Sequence, residues 1–413
     1  MTTTQVRTED SHESFEPMGR HLADPYPFFA RARTREPIFF APSVNAWCVT
    51  RYDDIAAIVD DVESFSSAEA FPRPKGLPPE ADDWLEWFYE KAPPITFLDP
   101  PTHTRVRRVM NRGFMPRALS AFEPDVRAVV ERYVLGVVGR DEFDLAADLA
   151  APMPVNVIIK VLGFPDEDYP RLKVWFDHIF VLLVGSHMVD RETLAVCGQG
   201  FRDWRAYVST QIDEREAAPR DDLMSFLIHG DAHGHSLTRD EVMMQIITMI
   251  AAGGETTGNG LINTVYALMR NRGHWDALVA GEADVDAIIE EGLRLNTSVL
   301  GLFRTAKRDV TLSGVTIPEG AMVFLLWGSA NHDESRYDRP TEFRPGERGV
   351  AQDLTFGRGI HYCIGAPLAR MEMRIALEAL ARHMPGLHLA SDEPPAYRPI
   401  TQFRALESLV LRP

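Results

Sequence analysis

Hydrophobic residues recur along most of the chain at the three- and four-residue spacing that is typical of amphipathic helices. This spacing predicts long helices over 119–138, 166–184, 198–216, 238–270, 285–295 and 366–382. Alternating patterns are shorter and rarer, and they predict strands over 38–40, 46–50, 310–312, 322–327 and 408–411. The sequence therefore predicts a mainly α fold with a minor β portion.

The chain contains no linker-like segment and no internal repeat. Its 413 residues are 45% hydrophobic, which is enough for one large core. We therefore predict a single domain over 1–413, with a loosely held polar tail over about 1–17. Proline and acidic residues in 71–83, and the polar stretch 346–355, predict exposed loops.

Charge and cysteine content exclude several classes of protein. A net charge of −17 argues against non-specific nucleic-acid binding. The apolar runs are too short to span a membrane, and residues 1–17 do not resemble a signal peptide, so we expect a soluble, cytoplasmic protein. The three cysteines (Cys48, Cys197 and Cys363) form no C-x-x-C pair, which argues against a zinc ribbon or a dithiol redox centre.

Cys363 lies in the most informative ten residues of the chain, Phe-Gly-Arg-Gly-Ile-His-Tyr-Cys-Ile-Gly at 356–365. Glycines allow the backbone to pass close to a bulky planar group and leave amide N–H groups free to face a sulfur atom. A helix predicted directly after Gly365 would place the positive end of its dipole near the thiolate. The loop therefore indicates a single thiolate presented to a metal, although a buried structural cysteine is the alternative.

A second candidate site lies in the centre of the long helix predicted over 238–270. Thr238 and Glu241 have the spacing of a capping box at its start. The adjacent glycines Gly253 and Gly254 would each cost about 1 kcal/mol relative to alanine in a helix interior. Such a weak point predicts a local opening of the helix that makes room for a ligand. The neighbouring acid and hydroxyl (Glu255 and Thr256) could relay protons, although a simple helix kink would also explain the pattern.

The loop around Cys363 resembles the haem-binding loop of the cytochrome P450 family, the thiolate-haem monooxygenases. The resemblance implies a triangular helical prism around a buried haem b, with Cys363 as the iron ligand. It also implies that Gly253 and the loop residues Phe356, Gly357 and Gly365 contact the cofactor. Thiolate ligation of haem iron favours cleavage of the O–O bond.

Further matches to the same family extend over most of the chain. Glu255 and Thr256 match its acid–hydroxyl pair for oxygen activation. Glu291 and Arg294 match its buried Glu-x-x-Arg pair, which we expect to be structural. The resemblance also implies four contacts to the haem propionates: His103, Arg107, Arg304 and His361.

The resemblance also implies where a substrate would bind. The expected pocket walls are mostly apolar and comprise Thr248, Ala251, Ala252, Val299, Leu300 and Leu302. Segments 71–97 and 176–189 should form a lid. No charged anchor is evident, so we expect a small or mid-sized hydrophobic substrate. Hydroxylation, epoxidation and dealkylation remain open.

The predicted function is a monooxygenase that activates O2 and inserts one oxygen atom into an organic molecule. No reductase domain is recognisable in the chain, so electrons should come from a separate ferredoxin and ferredoxin reductase. Candidate docking cations are Arg107, Arg108, Arg112, Arg358 and Arg370. We expect a monomer that binds neither nucleic acid nor membrane.

Three alternatives stay open on the sequence alone. A peroxide-driven enzyme of the same family would not need the acid–hydroxyl pair. A hydrolase could use Cys363 as nucleophile and His361 as base. A haem-binding sensor would bind the cofactor without turnover.

Overall fold

The computed structural model describes residues 14–68, 70, 73–74, 77–186, 189–230, 234–347 and 353–413. Most of the described chain is helical. The α-helices in chain order are α1 Tyr26–Arg35, α2 Tyr52–Asp60, α3 Asp82–Glu86, α4 Thr102–Asn111, α5 Pro116–Leu135, α6 Pro152–Leu162, α7 Tyr169–Phe180, α8 Arg191–Ala217, α9 Leu223–Ile228, α10 Arg239–Arg270, α11 Arg272–Val279, α12 Val285–Leu295, α13 Trp327–Ala330 and α14 Ala366–His383. Short 3₁₀ or π turns extend several of them, such as Val181–Gly185 after α7.

The strands are short and form small sheets at the edge of the helical body. In chain order they are β1 Ile38–Ala41, β2 Ala46–Val49, β3 Phe65–Ser66, β4 Phe143–Asp144, β5 Leu302–Ala306, β6 Val310–Leu312, β7 Val315–Ile317, β8 Met322–Leu325, β9 His388–Leu389 and β10 Val410–Arg412. The largest sheet has the order β1-β2-β8-β5-β3. The predicted class, mainly α with a minor β portion, is confirmed.

The predicted helices are present, and their ends shift by a few residues in most cases. Residues 285–295 form α12 with the predicted bounds. The α8 helix begins seven residues before the predicted 198, because Asp190 caps it by accepting a hydrogen bond from the amide of Thr193. The predicted strand 322–327 ends at Leu325, since Trp327 already begins α13.

The central helix α10 crosses the core and carries the second candidate site. Its start is the predicted capping box: Glu241 N donates to Thr238 Oγ1 (3.3 Å), and Thr238 N donates to Glu241 Oε2 (2.8 Å). The helix continues through Gly253 and Gly254 without a break. The predicted local opening of the helix was therefore wrong, and Gly254 instead packs closely against Val155 of α6.

The beginning of the described chain is more firmly packed than we expected. Phe15 is only 1% exposed and lies against Phe28 and Phe29, at ring distances of 5.3 and 5.5 Å. The expectation of a loose tail over 1–17 is therefore wrong at its end, while residues 1–13 lie outside the described residues. Within the described ranges, no helix is both long and apolar enough to cross a membrane.

Candidate functional site

A largely apolar cavity of about 280 Å³ lies between α10 and the cysteine loop. Helix α10 forms one wall, and the loop that carries Cys363 forms the other. Met110 of α4 and Ile179 of α7 close its sides. The two sites predicted from sequence, about 100 residues apart in the chain, therefore face one cavity.

The cysteine loop is shaped by backbone hydrogen bonds. Cys363 N donates to Phe356 O (2.8 Å), and Gly357 N donates to Leu354 O (2.9 Å). Gly357 and Gly359 have φ angles of +71° and +66°, which explains the glycine at both positions. Cys363 is half-buried and lines the cavity, as do Phe356 and Gly365.

The surroundings of the Cys363 sulfur act on its pKa in opposite directions. Burial raises the pKa of the thiol above its ordinary value. The amides of Gly365 and Ala366 donate to the sulfur, and the charges of Arg107 and Arg370 favour the thiolate. Burial outweighs these effects in the protein alone, so the thiolate needs a further positive partner, such as a metal ion.

Buried side chains fix the loop to α12. Thr355 Oγ1 donates to Leu293 O (3.1 Å), and Asn331 Nδ2 donates to Thr355 Oγ1 (3.1 Å). Asn331 is in turn bound through its carbonyl by Arg294 Nη1 (2.8 Å). Arg294 pairs twice with Glu291, at 2.7 and 2.8 Å, and both side chains are 6% exposed.

A cluster of basic side chains lies at one end of the cavity. His103 and Arg304 are buried, whereas His361 and Arg107 are partly exposed. The rings of His103 and His361 lie 4.3 Å apart, and His103 Nε2 is buried without a hydrogen-bond partner among the described residues. Arg304 is 5% exposed, and its Nη1 donates to the carbonyl of Phe303 (2.8 Å). Arg107, whose Nε donates to Asn111 Oδ1 (2.8 Å), lines the cavity itself.

Burial shifts the pKa values of this cluster away from the charged forms. Burial and the neighbouring cations lower the pKa of His361 to about 2 and that of His103 to about 4. Burial also lowers the pKa of Arg304 to about 10. The carboxylate of Asp99 accepts from Ser66 Oγ (2.6 Å) and from the amide of Ser67 (3.0 Å). With these pKa values both histidines are neutral near pH 7, whereas Arg304 stays charged. A buried arginine without a paired anion is costly, and neutral histidines can donate hydrogen bonds, so the cluster fits the two propionates of a haem.

The paired glycines of α10 have different surroundings. A Cβ at Gly253 would meet nothing within 4 Å, and this residue lines the cavity. A Cβ at Gly254 would lie 2.6 Å from Cγ2 of Val155 on α6. Gly254 thus allows two helices to approach closely, which explains why the helix stays intact here.

Glu255 and Thr256 both line the cavity, but they bind different partners. Thr256 Oγ1 donates to Ala252 O (2.5 Å). Glu255 Oε1 accepts from Arg398, near the C-terminus, and from Asn259 Nδ2 (3.4 Å). The structure therefore brings the pair to the cavity without joining them to each other.

Five of the six residues expected in the substrate pocket line this cavity. Thr248, Ala251, Ala252, Val299 and Leu302 line the cavity. Leu300 does not, because it lies in a separate cluster with Phe303 and Phe324 and is 4% exposed. Side chains of an extended chain alternate between faces, so the neighbour of Val299 turns away from the cavity.

Several lining residues were not identified from the sequence. Trp327 is 8% exposed, and its Nε1 is buried without a partner among the described residues. Phe403 adds an aromatic wall. The expected pocket walls included neither Trp327 nor Phe403.

The predicted lid is described only in part. Within 71–97 and 176–189, positions 71, 72, 75, 76, 187 and 188 lie outside the described residues. The described part contributes Ile95, Phe97, Ile179 and Phe180 to the cavity. Of the predicted loop 346–355, residues 348–352 are likewise outside the described residues.

Two of the five candidate docking cations have acidic partners. Arg358 pairs with Asp60 (2.9 Å), and Arg370 pairs with Glu290. Arg107 lies inside the cavity, whereas Arg108 and Arg112 are exposed. Arg112 has no side-chain partner in the part of the chain that the structure describes.

Comparisons with known proteins agree with this geometry. The cytochrome P450 family profile matches residues 85–280 and 285–388. The putative cytochrome P450 YjiB of Bacillus subtilis is 32% identical over 375 residues, which cover 90% of each chain.

Solved structures match over nearly the whole chain. The cytochrome P450 CREJ, in complex with (4-ethylphenyl) dihydrogen phosphate, has 30% identity and a TM-score of 0.87, covering 97% of this chain and 100% of that chain. CYP109E1 from Bacillus megaterium, in complex with testosterone, has 28% identity and a TM-score of 0.82, covering 94% of this chain and 99% of that chain. With its predicted fold confirmed in this way, the chain belongs to the cytochrome P450 family of haem-dependent monooxygenases.

Proposed function

We propose that this protein is a haem b monooxygenase in which Cys363 would bind the iron and Glu255 and Thr256 would supply protons to the cavity. The observation that carries the proposal is the single cavity that Cys363 and the Glu255–Thr256 pair both face. When bound, haem supplies the iron at which O2 is reduced and from which one oxygen atom reaches the substrate. The other atom leaves as water, so each turnover consumes two electrons and two protons.

The chain's own residues hold the cofactor at its iron and at its propionates. Cys363 is the iron ligand, and the amides of Gly365 and Ala366 donate to its sulfur. His103, Arg107, Arg304 and His361 bind the propionates. Phe356, Gly357, Gly365 and Gly253 allow the flat ring to lie close to the backbone. Glu291 and Arg294 are structural, because they fix the loop through Asn331.

Thr256 and Glu255 divide the proton chemistry between them. The Thr256 hydroxyl, now bound to Ala252 O, can turn to donate into the cavity. Glu255 is about one-fifth exposed (22%), so its carboxylate can exchange protons with solvent. Proton transfer by a positioned acid contributes about 10²- to 10⁴-fold to rate.

The substrate is a small to mid-sized neutral hydrophobic molecule. Most of the cavity lining is apolar. Its polar side chains are hydroxyls such as those of Thr96, Thr248 and Ser298, together with the ionisable groups of Arg107, Glu255, His361, Cys363 and Glu372. A steroid such as the testosterone bound by CYP109E1 has this character, whereas the aryl phosphate bound by CREJ carries a charge. Neutral steroids and terpenoids are therefore better first candidates than carboxylates or phosphates.

The electron donors are a ferredoxin and its reductase, and the protein acts as a cytoplasmic monomer and a single domain. Arg108 and Arg112 are the preferred docking cations, because Arg358 and Arg370 are already paired. Arg112→Glu should slow reduction by a ferredoxin several-fold at low salt and much less at high salt. Arg412→Glu, on β10, is the control. An unchanged rate at low salt would remove Arg112 from the docking surface.

The first test is the absorption spectrum of the purified protein, reduced and exposed to carbon monoxide. A strongly red-shifted Soret band is expected for wild type and for Cys197→Ala, whereas Cys363→Ser should lose it. Haem bound with a normal Soret band in wild type, or a red-shifted band in Cys363→Ser, would contradict the role of Cys363. A protein that binds no haem when haem is abundant would contradict the monooxygenase and leave the cysteine hydrolase.

A further inference from the structure

Glu255 is held by a residue that the acid–hydroxyl pattern does not include. Its Oε1 accepts from Nη2 of Arg398, whose side chain is 39% exposed, while Thr256 Oγ1 donates to Ala252 O. The carboxylate and the hydroxyl thus bind different partners, although they are neighbours on α10. The Oε1 atom bound to Arg398 also accepts from Asn259 Nδ2 (3.4 Å), so this end of the carboxylate is held by two donors.

Arg398 is fixed in place by a hairpin over 396–407. Arg398 N donates to Ala405 O (2.8 Å), and Glu407 N donates to Ala396 O (2.9 Å). Tyr397 and Leu406 form the bridge between the two limbs. The guanidinium is therefore carried by paired backbone and not by a free loop.

Arg404 anchors this hairpin to the rest of the protein. Arg404 is 5% exposed, and its guanidinium lies 4.0 Å from the ring centroid of Tyr397. Asn263 Nδ2, on α10, donates to Arg404 O (3.2 Å). Asn263 is eight residues after Glu255 on the same helix, so one hairpin contacts α10 at both points.

The tip of the hairpin forms part of the cavity wall. Phe403 lines the cavity and pairs with Val299, another lining residue. Arg404 N donates to Ser298 O (2.9 Å). The ion pair therefore belongs to the same rigid unit as the substrate wall.

We infer that Arg398 is a positioning residue that holds Glu255 away from Thr256 and so restrains proton supply in the resting enzyme. The inference rests on the proposed function, because it assigns a control to that same proton pathway. An ion pair of this exposure restrains its carboxylate by a small Boltzmann factor, about two- to fivefold. Arg398→Gln removes the charge at similar size, so the carboxylate should reach Thr256 correspondingly more often.

The experiment needs neither a substrate nor a protein partner. Reduced holoenzyme is mixed with air-saturated buffer in H2O and in D2O, and the return of the oxidised absorption spectrum is timed. In this reaction one electron passes from the reduced protein to O2, one proton is taken up, and the reduced oxygen leaves as the hydroperoxyl radical. We expect Arg398→Gln to return about two- to fivefold faster than wild type and to show a changed solvent isotope effect. Arg398→Lys keeps the charge and should stay within about twofold of wild type.

A double variant separates positioning from a general structural effect. If Arg398 acts through Glu255, then Glu255→Gln/Arg398→Gln should match Glu255→Gln alone. Arg412→Gln, which breaks the pair with Glu142 (3.2 Å), is the control for losing an exposed arginine. All variants should keep the red-shifted carbon monoxide band and the melting temperature of wild type.

Three results would overturn the inference, and each would show a different claim to be wrong. A wild-type spectrum without thiolate-bound haem removes the proposed function itself. Glu255→Gln indistinguishable from wild type removes the proton role of Glu255. An altered Glu255→Gln with an unaltered Arg398→Gln, or an Arg398→Gln effect that persists in the double variant, removes Arg398 alone.

Discussion

Gly254→Ala should destabilise the protein, although alanine is the better helix former. Alanine is favoured over glycine in a helix interior by about 1 kcal/mol. Its Cβ, however, would lie 2.6 Å from Val155 Cγ2 and 3.8 Å from Val155 Cβ. Val155 is β-branched and lies inside α6, so its χ1 angle cannot easily change. Overpacking of this kind costs about 1–3 kcal/mol, which leaves a net loss of up to about 2 kcal/mol.

Urea unfolding of the holoenzyme, followed by tryptophan fluorescence, gives the midpoint and slope for each variant. Gly273→Ala on α11 is the control, because a Cβ there would meet nothing within 4 Å and the residue is exposed. Val155→Ala removes the obstructing atom, so Gly254→Ala/Val155→Ala should show a favourable coupling of about 1–3 kcal/mol. If Gly254→Ala is as stable as Gly273→Ala, or if the coupling is zero, then helix packing does not explain Gly254.

Three further predictions test the proton pathway, the buried ion pair and the response to acid. Thr256→Ala should release peroxide in place of product during electron-driven turnover, measured as peroxide formed per electron pair. Thr210→Ala is the control and should not do so, because Thr210 is likewise bonded to a carbonyl four residues earlier but lies elsewhere. Equal peroxide release by the two variants would contradict the assignment. Glu291→Gln should cost about 3–5 kcal/mol of unfolding free energy, because it leaves the buried charge of Arg294 without a counter-charge. Glu123→Gln, in an exposed pair with Arg127, should cost at most about 1 kcal/mol, and similar losses in the two variants would refute the contrast. Burial lowers the pKa of His332 to about 3, so on acidification the unfolded state binds the proton before the folded state does. The free energy of unfolding should therefore fall below about pH 6.5, by about 1.4 kcal/mol per pH unit. His332→Gln should reduce the loss in urea midpoint between pH 7 and pH 5.5, and an unchanged loss would show that other groups cause it.

Helices with strong periodicity and local start signals were predictable. The bounds of α12 and the capping box of α10 agree with the sequence, because both depend on residues close together in the chain. Helix α6 was missed, since Pro152 and Pro154 suggest a loop, although proline is favoured in the first turn of a helix. Strand β5 was missed because five residues that include Arg304 carry little alternation.

The polar partners within the site were less predictable than its motifs. The cysteine loop and the Glu255–Thr256 pair are local patterns, so each could be identified from one segment. The pairing of Glu255 with Arg398 joins residues 143 positions apart, and nothing near Arg398 indicates it. The packing role of Gly254 was equally hard to predict, because it depends on the contact with Val155 on another helix.

The attachment of the cysteine loop to α12 has a consequence for the order of folding. Thr355 reaches the carbonyl of Leu293 across 62 positions, and Leu354 N reaches Asn331 Oδ1 across 23. Closing such long chain segments costs entropy that local contacts cannot offset. The loop can therefore take its final shape only after the chain around Asn331 has docked on α12. A newly made chain should acquire its thiolate geometry late, so cofactor supply acts on an almost folded protein.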